Sequence, residues 1–195
     1  MSHNTEIIAH RGYSARAPEN TLAAIEAAIS AGADAVEFDV HTAACGTPVV
    51  FHDATLGRTS DGVGPVHRQT FRELNSLDAG RWFSPEFVGE RIPSLHQALE
   101  ATRGRLGRTY VEVKGFRELE DLDRMVLIAQ DLTMLDEVIF ISMDWTALAR
   151  LRAQDASASI GYVVEKEDRI DEAFQLARGD ARALLDLRAD FIADD

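Results

Sequence analysis

Cysteine and long apolar runs are what this 195-residue sequence most clearly lacks. Its single cysteine, Cys45, cannot form a disulfide within the chain. No apolar run reaches the roughly 20 residues that a membrane-spanning helix needs, and no basic segment followed by an apolar one marks an N-terminal signal peptide. We therefore expect a soluble, cytoplasmic protein without a membrane partner.

Positive charge is also scarce. Lys and Arg together number 20 against 33 Asp and Glu, so the net charge is −13. Such a surplus of negative charge disfavours nucleic acid as a partner, and an anionic substrate would need a cation at its binding site. The content of 46% hydrophobic and 27% charged residues is typical of a globular protein, and the length predicts a single domain over residues 1–195.

Apolar strand-like runs alternate with segments of helical period along most of the chain. This alternation predicts an α/β fold with a largely parallel sheet. Apolar residues at helical spacing predict two helices, one with Leu22, Ile25 and Ile29 that Gly32 can end, and one with Leu122, Met125, Val126 and Ala129. Capping boxes predict that two more helices begin at Thr70 and at Ser94. The predicted strands are residues 6–10, 35–41, 48–52, 110–114, 138–142, 159–165 and 190–193.

Two connections are unusual for such a fold. The link over residues 42–47 is shorter than the roughly twelve residues that a parallel crossover needs. It forms either a hairpin, in which a centre between Ala44 and Cys45 would set Glu37 opposite His52, or an irregular extended link. Residues 54–93 are irregular and rich in glycine, and so long a connection is typical of a lid or a binding insert.

Acidic residues interrupt two of the apolar strands. In "AVEFDVH", Glu37 and Asp39 share one face of a strand, and in "YVEVKG", Glu112 and Lys114 do the same. An alternative is that both pairs form the polar face of half-exposed edge strands. Three converging carboxylates would suit Mg²⁺ or Ca²⁺ better than zinc, which prefers histidine and cysteine.

Two histidines end predicted strands. A single histidine at such a place is usually structural, but His10 and His52 together, near carboxylates, suggest an acid and base pair. Arg11 follows His10 directly and offers a planar fork for a phosphate or a carboxylate. An ordinary surface ion pair is an equally good explanation for Arg11.

Taken together, these segments resemble the glycerophosphodiester phosphodiesterase family, which is related to the phosphatidylinositol-specific phospholipases C. The resemblance covers residues 7–165. It rests on the order and spacing of the motifs "AHRG", "PENT", "GADAVEFDV", "PVVFHDATLGRTSDGVG", "LDAGRWF", "GERIPSL", "VEVK" and "VIFISMD".

The resemblance implies a reaction and a site. The family cleaves glycerophosphodiesters to glycerol 3-phosphate and an alcohol such as choline or ethanolamine. A catalytically inactive module that binds metal and phosphate, and a plain α/β scaffold, are the alternatives. The implied metal ligands, for Mg²⁺ or Ca²⁺, are Glu37, Asp39 and Glu112; the general acid and base, in either order, are His10 and His52; and the phosphate-binding residues are Arg11 and Lys114.

The resemblance also implies a (β/α)8 barrel of the TIM type, with His10 and Arg11 at its mouth and an insert at about residues 54–93. Members usually continue through two further strands with W-T-V-N-like and G-V-D-G-like segments. Here "ADFIADD", residues 189–195, resembles the sixth strand, so the last two strand–helix units are lacking. We expect a shortened form of a longer barrel, rather than a wall supplied by a partner chain or an exceptional open barrel, and weak stability or self-association into a homo-oligomer.

Overall fold

A computed structural model describes residues 5–191 of the chain. Its strands form a seven-stranded sheet in the order β1-β2-β4-β5-β6-β7, in which neighbours run parallel, while β3 pairs antiparallel with β2. The strands are β1 Ile8–His10, β2 Ala35–Thr42, β3 Pro48–Val50, β4 Arg108–Gly115, β5 Val138–Ser142, β6 Ser159–Val164 and β7 Ala183–Leu187. The helices are α1 Leu22–Ser30, α2 Phe71–Leu74, α3 Leu95–Thr102, α4 Leu119–Asp131, α5 Trp145–Gln154 and α6 Ile170–Ala177.

The helices predicted from capping residues and apolar spacing are confirmed. The Thr21 hydroxyl accepts a hydrogen bond at the start of α1, and the apolar residues expected in α4 lie on its buried face. Both capping boxes are present, with Thr70 before α2 and Ser94 before α3. Local capping therefore determines where these helices begin.

The two faces of the sheet bury different residues. On β2, Val36, Phe38 and Val40 belong to the main hydrophobic core, together with side chains from the helices. Ala35 instead packs with Tyr110 in a small cluster on the opposite face. Because side chains alternate along a strand, the acidic residues of β2 and β4 lie on this second face, which we call the inner face.

The link between β2 and β3 is a hairpin, with Val40 paired to Val50 and Thr42 to Pro48. Its centre lies at Cys45, because Ala43 N–H closes the turn on Thr47 O at 2.9 Å and Gly46 adopts a φ of 80°. The expected centre between Ala44 and Cys45 is therefore wrong by half a residue, and Glu37 does not pair with His52.

The connection after β3 is largely irregular. It contains α2 and three short 3-10 helices, Leu56–Arg58, Val66–Arg68 and Pro85–Phe87. Leu56, Val66 and Leu74 bury their side chains against Val49 and Phe51 in a hydrophobic cluster separate from the main core. The connection thus packs on the hairpin through apolar contacts of its own.

The strand predicted at residues 190–193 is wrong over its described part. Ala189–Phe191 is a 3-10 helix, and residues 192–193 lie outside the described residues. The last parallel strand is β7, which pairs with β6 from Ile160↔Ala183 onward. The Arg188 guanidinium binds the Asp190 carboxylate and ends the extended segment before Phe191.

The parallel strands curl in the manner of a TIM-type barrel. Between residues 5 and 191, β1 pairs only with β2 and β7 only with β6, so the sheet has two free edges. The described strands therefore form part of a barrel. No helix of the described part is long and apolar enough to cross a membrane.

Candidate active site

The carboxyl ends of β1, β2 and β4 meet at one edge of the sheet, where a TIM-type barrel carries its active site. His10 is the last residue of β1 and pairs with Glu37, and Asp39 pairs with Glu112. Neighbouring strands are about 4.8 Å apart, so these side chains lie beside one another. Strands β2 and β4 are central in the sheet, which excludes the interpretation of their acidic residues as the polar face of edge strands.

The loop after β1 begins with a tight turn. Arg11 and Gly12 both have positive φ, 55° and 74°, and Gly12 N–H donates to Ala9 O and Glu37 O. A Cβ on Gly12 would lie 2.6 Å from the Ala24 backbone, so no other residue fits there without movement. The turn explains why "HRG" ends the first strand: it directs Arg11 toward β2.

Glu37, Asp39 and Glu112 form a cluster on the inner face. Each offers a carboxylate oxygen within 4.8 Å of the other two, and all three side chains are buried. Burying three acidic groups this close together is costly unless a cation or protons neutralise them. The cluster is therefore a candidate cation site.

The hydrogen bonds of the cluster leave oxygens free. Glu37 Oε1 and Asp39 Oδ1 are buried and accept no well-aligned hydrogen bond, although Lys114 Nζ lies 3.4 Å from Asp39 Oδ1. Asn20 Nδ2 donates to Asp39 Oδ2 at 2.8 Å, and Arg11 N–H donates to Glu37 Oε2 at 2.9 Å. A site whose three candidate ligands are all carboxylates, two of them with an oxygen that accepts no well-aligned hydrogen bond, fits a hard divalent cation.

Burial shifts the titration of the cluster. It raises the pKa of Glu37 to about 8, with a further contribution from the charge of Asp39. Burial also raises the pKa of Glu112, against the opposing effect of the Lys114 ammonium 2.7 Å from Glu112 Oε1. Without a cation, part of the cluster would hold protons near neutral pH.

Two positively charged side chains, Arg11 and Lys114, border the cluster. Arg11 Nε lies 3.3 Å from Asp39 Oδ2, is buried and makes no well-aligned hydrogen bond. Lys114 sits between Asp39 and Glu112, and although burial opposes it, the hydrogen bond to Glu112 raises the pKa of the Lys114 ammonium. Arg11 is therefore part of the cluster and not an ordinary surface ion pair.

The two histidines lie in different settings. The His10 side chain is 67% exposed, and its Nε2 lies 3.9 Å from Glu37 Oε2. Partial burial, together with the charge of Arg11, lowers the pKa of His10. His52 is half-buried; its Nδ1 lies 2.6 Å from Asp53 Oδ1, and its carbonyl oxygen accepts a hydrogen bond from His41 Nε2.

Several polar residues at the site were not singled out from the sequence. Asn20 binds Asp39, Glu19 binds Arg11 at 2.9 Å, and Asp53 binds His52. These residues lie within motifs of the family resemblance, Glu19 and Asn20 in "PENT" and Asp53 in "FHDATLGRT". Their partners lie on other elements of the fold, so only the structure shows what each one holds.

The arrangement has the parts needed for chemistry on an anionic ester. A buried acidic cluster suits a divalent cation, two cationic side chains stand beside it, and one exposed histidine faces its edge. The second histidine, His52, is linked to Arg11 through contacts of the charged side chains Asp53, Arg58 and Glu19. Such a combination can bind a phosphate group and move protons next to it.

Comparison with known proteins supports this interpretation. The sequence pattern of the Glycerophosphoryl diester phosphodiesterase family matches residues 10–184. The glycerophosphodiester phosphodiesterase of Caldanaerobacter subterraneus subsp. tengcongensis is 33% identical over 165 residues, which are 83% of this chain and 67% of that protein. The chain spans between 33% and 67% of the length of the curated relatives it matches.

Solved structures show the same fold. A crystal structure of glycerophosphodiester phosphodiesterase from Agrobacterium tumefaciens superposes with a TM-score of 0.77 and 34% identity, over 85% of this chain and 69% of that one. A phosphodiesterase from Oleispira antarctica, in complex with its product sn-glycerol-3-phosphate, gives a TM-score of 0.82 and 30% identity, over 97% of this chain and 77% of that one. The expected TIM-barrel type is confirmed, and the chain belongs to the glycerophosphodiester phosphodiesterase family.

Proposed function

We propose that this chain hydrolyses glycerophosphodiesters to glycerol 3-phosphate and an alcohol, with the help of a divalent cation. The observation that carries the proposal is the buried cluster of Glu37, Asp39 and Glu112, in which two carboxylate oxygens accept no well-aligned hydrogen bond. Membership of the family and the glycerol 3-phosphate bound to the Oleispira antarctica relative support the substrate class.

The three carboxylates are the proposed ligands of Mg²⁺ or Ca²⁺. Oxygen-only ligands favour these hard cations. A bound cation neutralises phosphate charge and lowers the pKa of a coordinated hydroxyl or water. The carboxylates of β2 and β4 are held by central strands, so the protein supplies a rigid site for it.

Arg11 and Lys114 are the proposed phosphate-binding residues. Arg11 Nε pairs with Asp39 Oδ2 at 3.3 Å without a well-aligned hydrogen bond, so a phosphate at the edge of the cluster could share this donor. Lys114 already neutralises Glu112, and a phosphate beside the cluster would share its ammonium. Fixed cations of this kind stabilise charge that accumulates on the phosphate oxygens during displacement. They also explain how a chain with a net charge of −13 binds an anion.

His10 and His52 are the proposed proton-transfer residues. One takes the proton of an attacking water as its oxygen bonds to phosphorus. If the glycerol 2-hydroxyl attacks instead, a cyclic phosphate forms first, and water then opens it to give glycerol 3-phosphate. The other histidine gives a proton to the alcohol oxygen as its bond to phosphorus breaks. The lowered pKa of His10 leaves its ring neutral near pH 7, in the form that accepts a proton.

The proposal also covers the domain organisation, the location and the partners of the chain. The whole chain is one phosphodiesterase domain, in which residues 54–93 form an insert that contributes Arg58 to the surroundings of the site. The substrate is a small molecule in the cytoplasm. Nucleic acid is not a partner, and self-association of the chain stays a prediction.

The test is release of glycerol 3-phosphate from glycerophosphocholine and glycerophosphoethanolamine, with Mg²⁺, with Ca²⁺ and with a chelator. We expect turnover that requires the cation and that falls by roughly 10²–10⁴-fold in His10→Ala and His52→Ala. Glu37→Ala should lose both turnover and cation binding.

Exposed residues of α3 provide matched controls, because His96→Ala and Glu100→Ala remove the same chemical groups away from the site. Both should retain full activity. A folded wild type that binds the cation and glycerol 3-phosphate but shows no turnover would contradict the proposal and indicate an inactive binding module. A wild type that binds no cation would indicate a plain scaffold.

A further inference from the structure

Arg58 lies between two carboxylates and binds both with paired hydrogen bonds. Its Nε donates to Asp53 Oδ2 at 2.7 Å and its NH2 to Asp53 Oδ1 at 2.9 Å. Its NH1 donates to Glu19 Oε2 at 2.9 Å and its NH2 to Glu19 Oε1 at 2.8 Å. The guanidinium therefore makes a two-point contact with each acid, the strongest geometry available to an arginine.

Each of these acids holds a residue of the proposed site. Asp53 Oδ1 lies 2.6 Å from His52 Nδ1. Glu19 Oε1 accepts a hydrogen bond from Arg11 NH1 at 2.9 Å. A continuous chain of charged contacts thus runs from His52 through Asp53, Arg58 and Glu19 to Arg11.

The chain joins two separate loops. Glu19 belongs to the loop between β1 and α1, whereas Asp53 and Arg58 follow β3. Arg58 is 39 residues from Glu19 in the sequence. Arg58 is the last residue of a 3-10 helix whose Leu56 is fully buried, so its backbone is anchored. Packing therefore anchors the backbone of Arg58, and the hydrogen bonds of its guanidinium join the two loops.

We propose that Arg58 is a positioning residue, which bridges Asp53 and Glu19 and thereby fixes the ring of His52 and the guanidinium of Arg11 relative to each other. The inference rests on the proposed function, since it assumes that His52 and Arg11 act on the substrate. It adds a residue that does not touch the substrate and acts only through its neighbours.

The bridge also fixes the tautomer of His52. Two hydrogen bonds from Arg58 hold the Asp53 carboxylate 2.6 Å from His52 Nδ1, and without them this carboxylate is free to turn away from the ring. An ionised Asp53 only accepts, so His52 Nδ1 carries its proton. His52 Nε2 is then the ring atom left to exchange a proton with a substrate.

A purely structural ion pair would behave differently. The Arg58 side chain is 44% exposed and ion pairs with an exposed partner contribute little to folding, while Glu19, which is 13% exposed, keeps its ion pair with Arg11. Removing Arg58 should therefore leave the fold intact while it releases Asp53 and Glu19. The positioning role predicts a change at His52 that a structural role does not.

The experiment compares Arg58→Gln, Arg58→Lys and Asp53→Asn with the wild type. Arg105→Gln is the matched control, because Arg105 also binds a carboxylate, that of Glu26, through both NH groups and is 42% exposed. The first measurement is the ¹⁵N NMR signature of the His52 ring in protein without metal or substrate. The second is kcat and KM for glycerophosphocholine with Mg²⁺.

We expect Arg58→Gln and Asp53→Asn to convert His52 from a single Nδ1–H tautomer to a mixture. In both variants kcat/KM should fall by about tenfold to a hundredfold, with the larger part in kcat. Arg58→Lys, which keeps the charge but not the two-point contacts, should recover part of the loss. A variant that combines Arg58→Gln with Asp53→Asn should have a kcat no lower than that of Asp53→Asn alone, because both changes act through the same contact.

An unchanged His52 signature in Arg58→Gln, or an activity loss no larger than that of Arg105→Gln, would overturn the proposal. The tautomer measurement needs no turnover, so a wild type without activity would contradict the proposed function and leave the effect of Arg58 on His52 measurable. If Arg58→Gln does not fold, Arg58→Lys and Asp53→Asn give the same comparison.

Discussion

Asn20 and Asp39 hold each other by two hydrogen bonds of opposite direction. The Asn20 side-chain amide donates to Asp39 Oδ2 at 2.8 Å, and Asp39 N–H donates to Asn20 Oδ1 at 3.1 Å. Asn20 is buried and has a φ of 60°, a conformation that asparagine tolerates better than most residues. The pair fixes one oxygen of Asp39 and turns the other, Oδ1, toward the cluster.

Replacing Asn20 by glycine tests the contribution of its side chain without changing its backbone conformation. Asn20→Gly tolerates the positive φ but removes both hydrogen bonds, so we expect a loss of about 1–3 kcal/mol in stability and of about tenfold to a hundredfold in Mg²⁺ affinity. Denaturant unfolding and calorimetric titration measure the two effects. Asn75→Ala, which removes a side-chain bond to Ile92 O, should lower stability without changing Mg²⁺ affinity.

The raised pKa of Glu37 predicts that the metal-free protein loses stability as pH rises. A group whose pKa rises from 4.5 in the unfolded chain to about 8 in the folded one binds more protons when folded. Its contribution is fully present below pH 4.5 and disappears as pH increases through 8. Thermal melts in chelator between pH 5 and pH 9 should show this decline.

Glu37→Gln keeps the shape of the side chain and cannot ionise. It should flatten the decline, and at the upper end of the range it should melt higher than the wild type in chelator. In the wild type, Mg²⁺ should raise the melting temperature more at pH 8 than at pH 5, because protons compete with the cation at low pH. A flat wild-type profile would show that Glu37 is ionised throughout.

Lys114 should weaken the binding of a divalent cation and strengthen the binding of the anionic substrate. Its ammonium lies 2.7 Å from Glu112 Oε1 and 3.4 Å from Asp39 Oδ1, where it competes with a divalent cation for the same carboxylates. Lys114→Met should therefore tighten Mg²⁺ binding by up to about tenfold and raise KM for the anionic substrate by a similar factor. Lys166, which is exposed, gives the matched control Lys166→Met. Weaker Mg²⁺ binding in Lys114→Met would contradict this account.

Gly12 should be far more sensitive to substitution than Gly32. Both have a positive φ, 74° and 79°, but a Cβ on Gly12 would lie 2.6 Å from Ala24, whereas nothing lies within 4 Å of one on Gly32. We expect Gly32→Ala to cost about 1 kcal/mol and Gly12→Ala about 2–4 kcal/mol in unfolding experiments. Equal losses would mean that the loop after β1 shifts to relieve the contact.

Much of the inner face follows from the sequence. Strand alternation predicts that Glu37 and Asp39 share a face, and the parallel order brings β4 beside β2, so Glu112 lies next to them. Capping residues predict where α2 and α3 begin. These features depend on local spacing, which a sequence displays directly.

Other features depend on geometry that local spacing does not contain. The hairpin register differs from the expectation because Gly46 takes a left-handed conformation and lengthens the turn. Strand β7 was missed because its short run "ALLDL" carries an acid and lacks a distinct period. The bridge made by Arg58 joins loops far apart in sequence, and only their packing shows which acids it binds.

The proposed site combines a rigid part, the carboxylates on β2 and β4, with a more flexible part, His10 on the edge strand β1. Among the described strands, β2 and β4 have neighbours on both sides, whereas β1, which carries His10, pairs on one side only. Amide hydrogens of β2 and β4 should exchange with solvent much more slowly than those of β1. Mutations that loosen β1 should therefore weaken the proposed proton transfer by His10 and leave the proposed cation site of β2 and β4 intact. A chain altered in this way would keep the cation site and the fold but would lose the proposed hydrolysis.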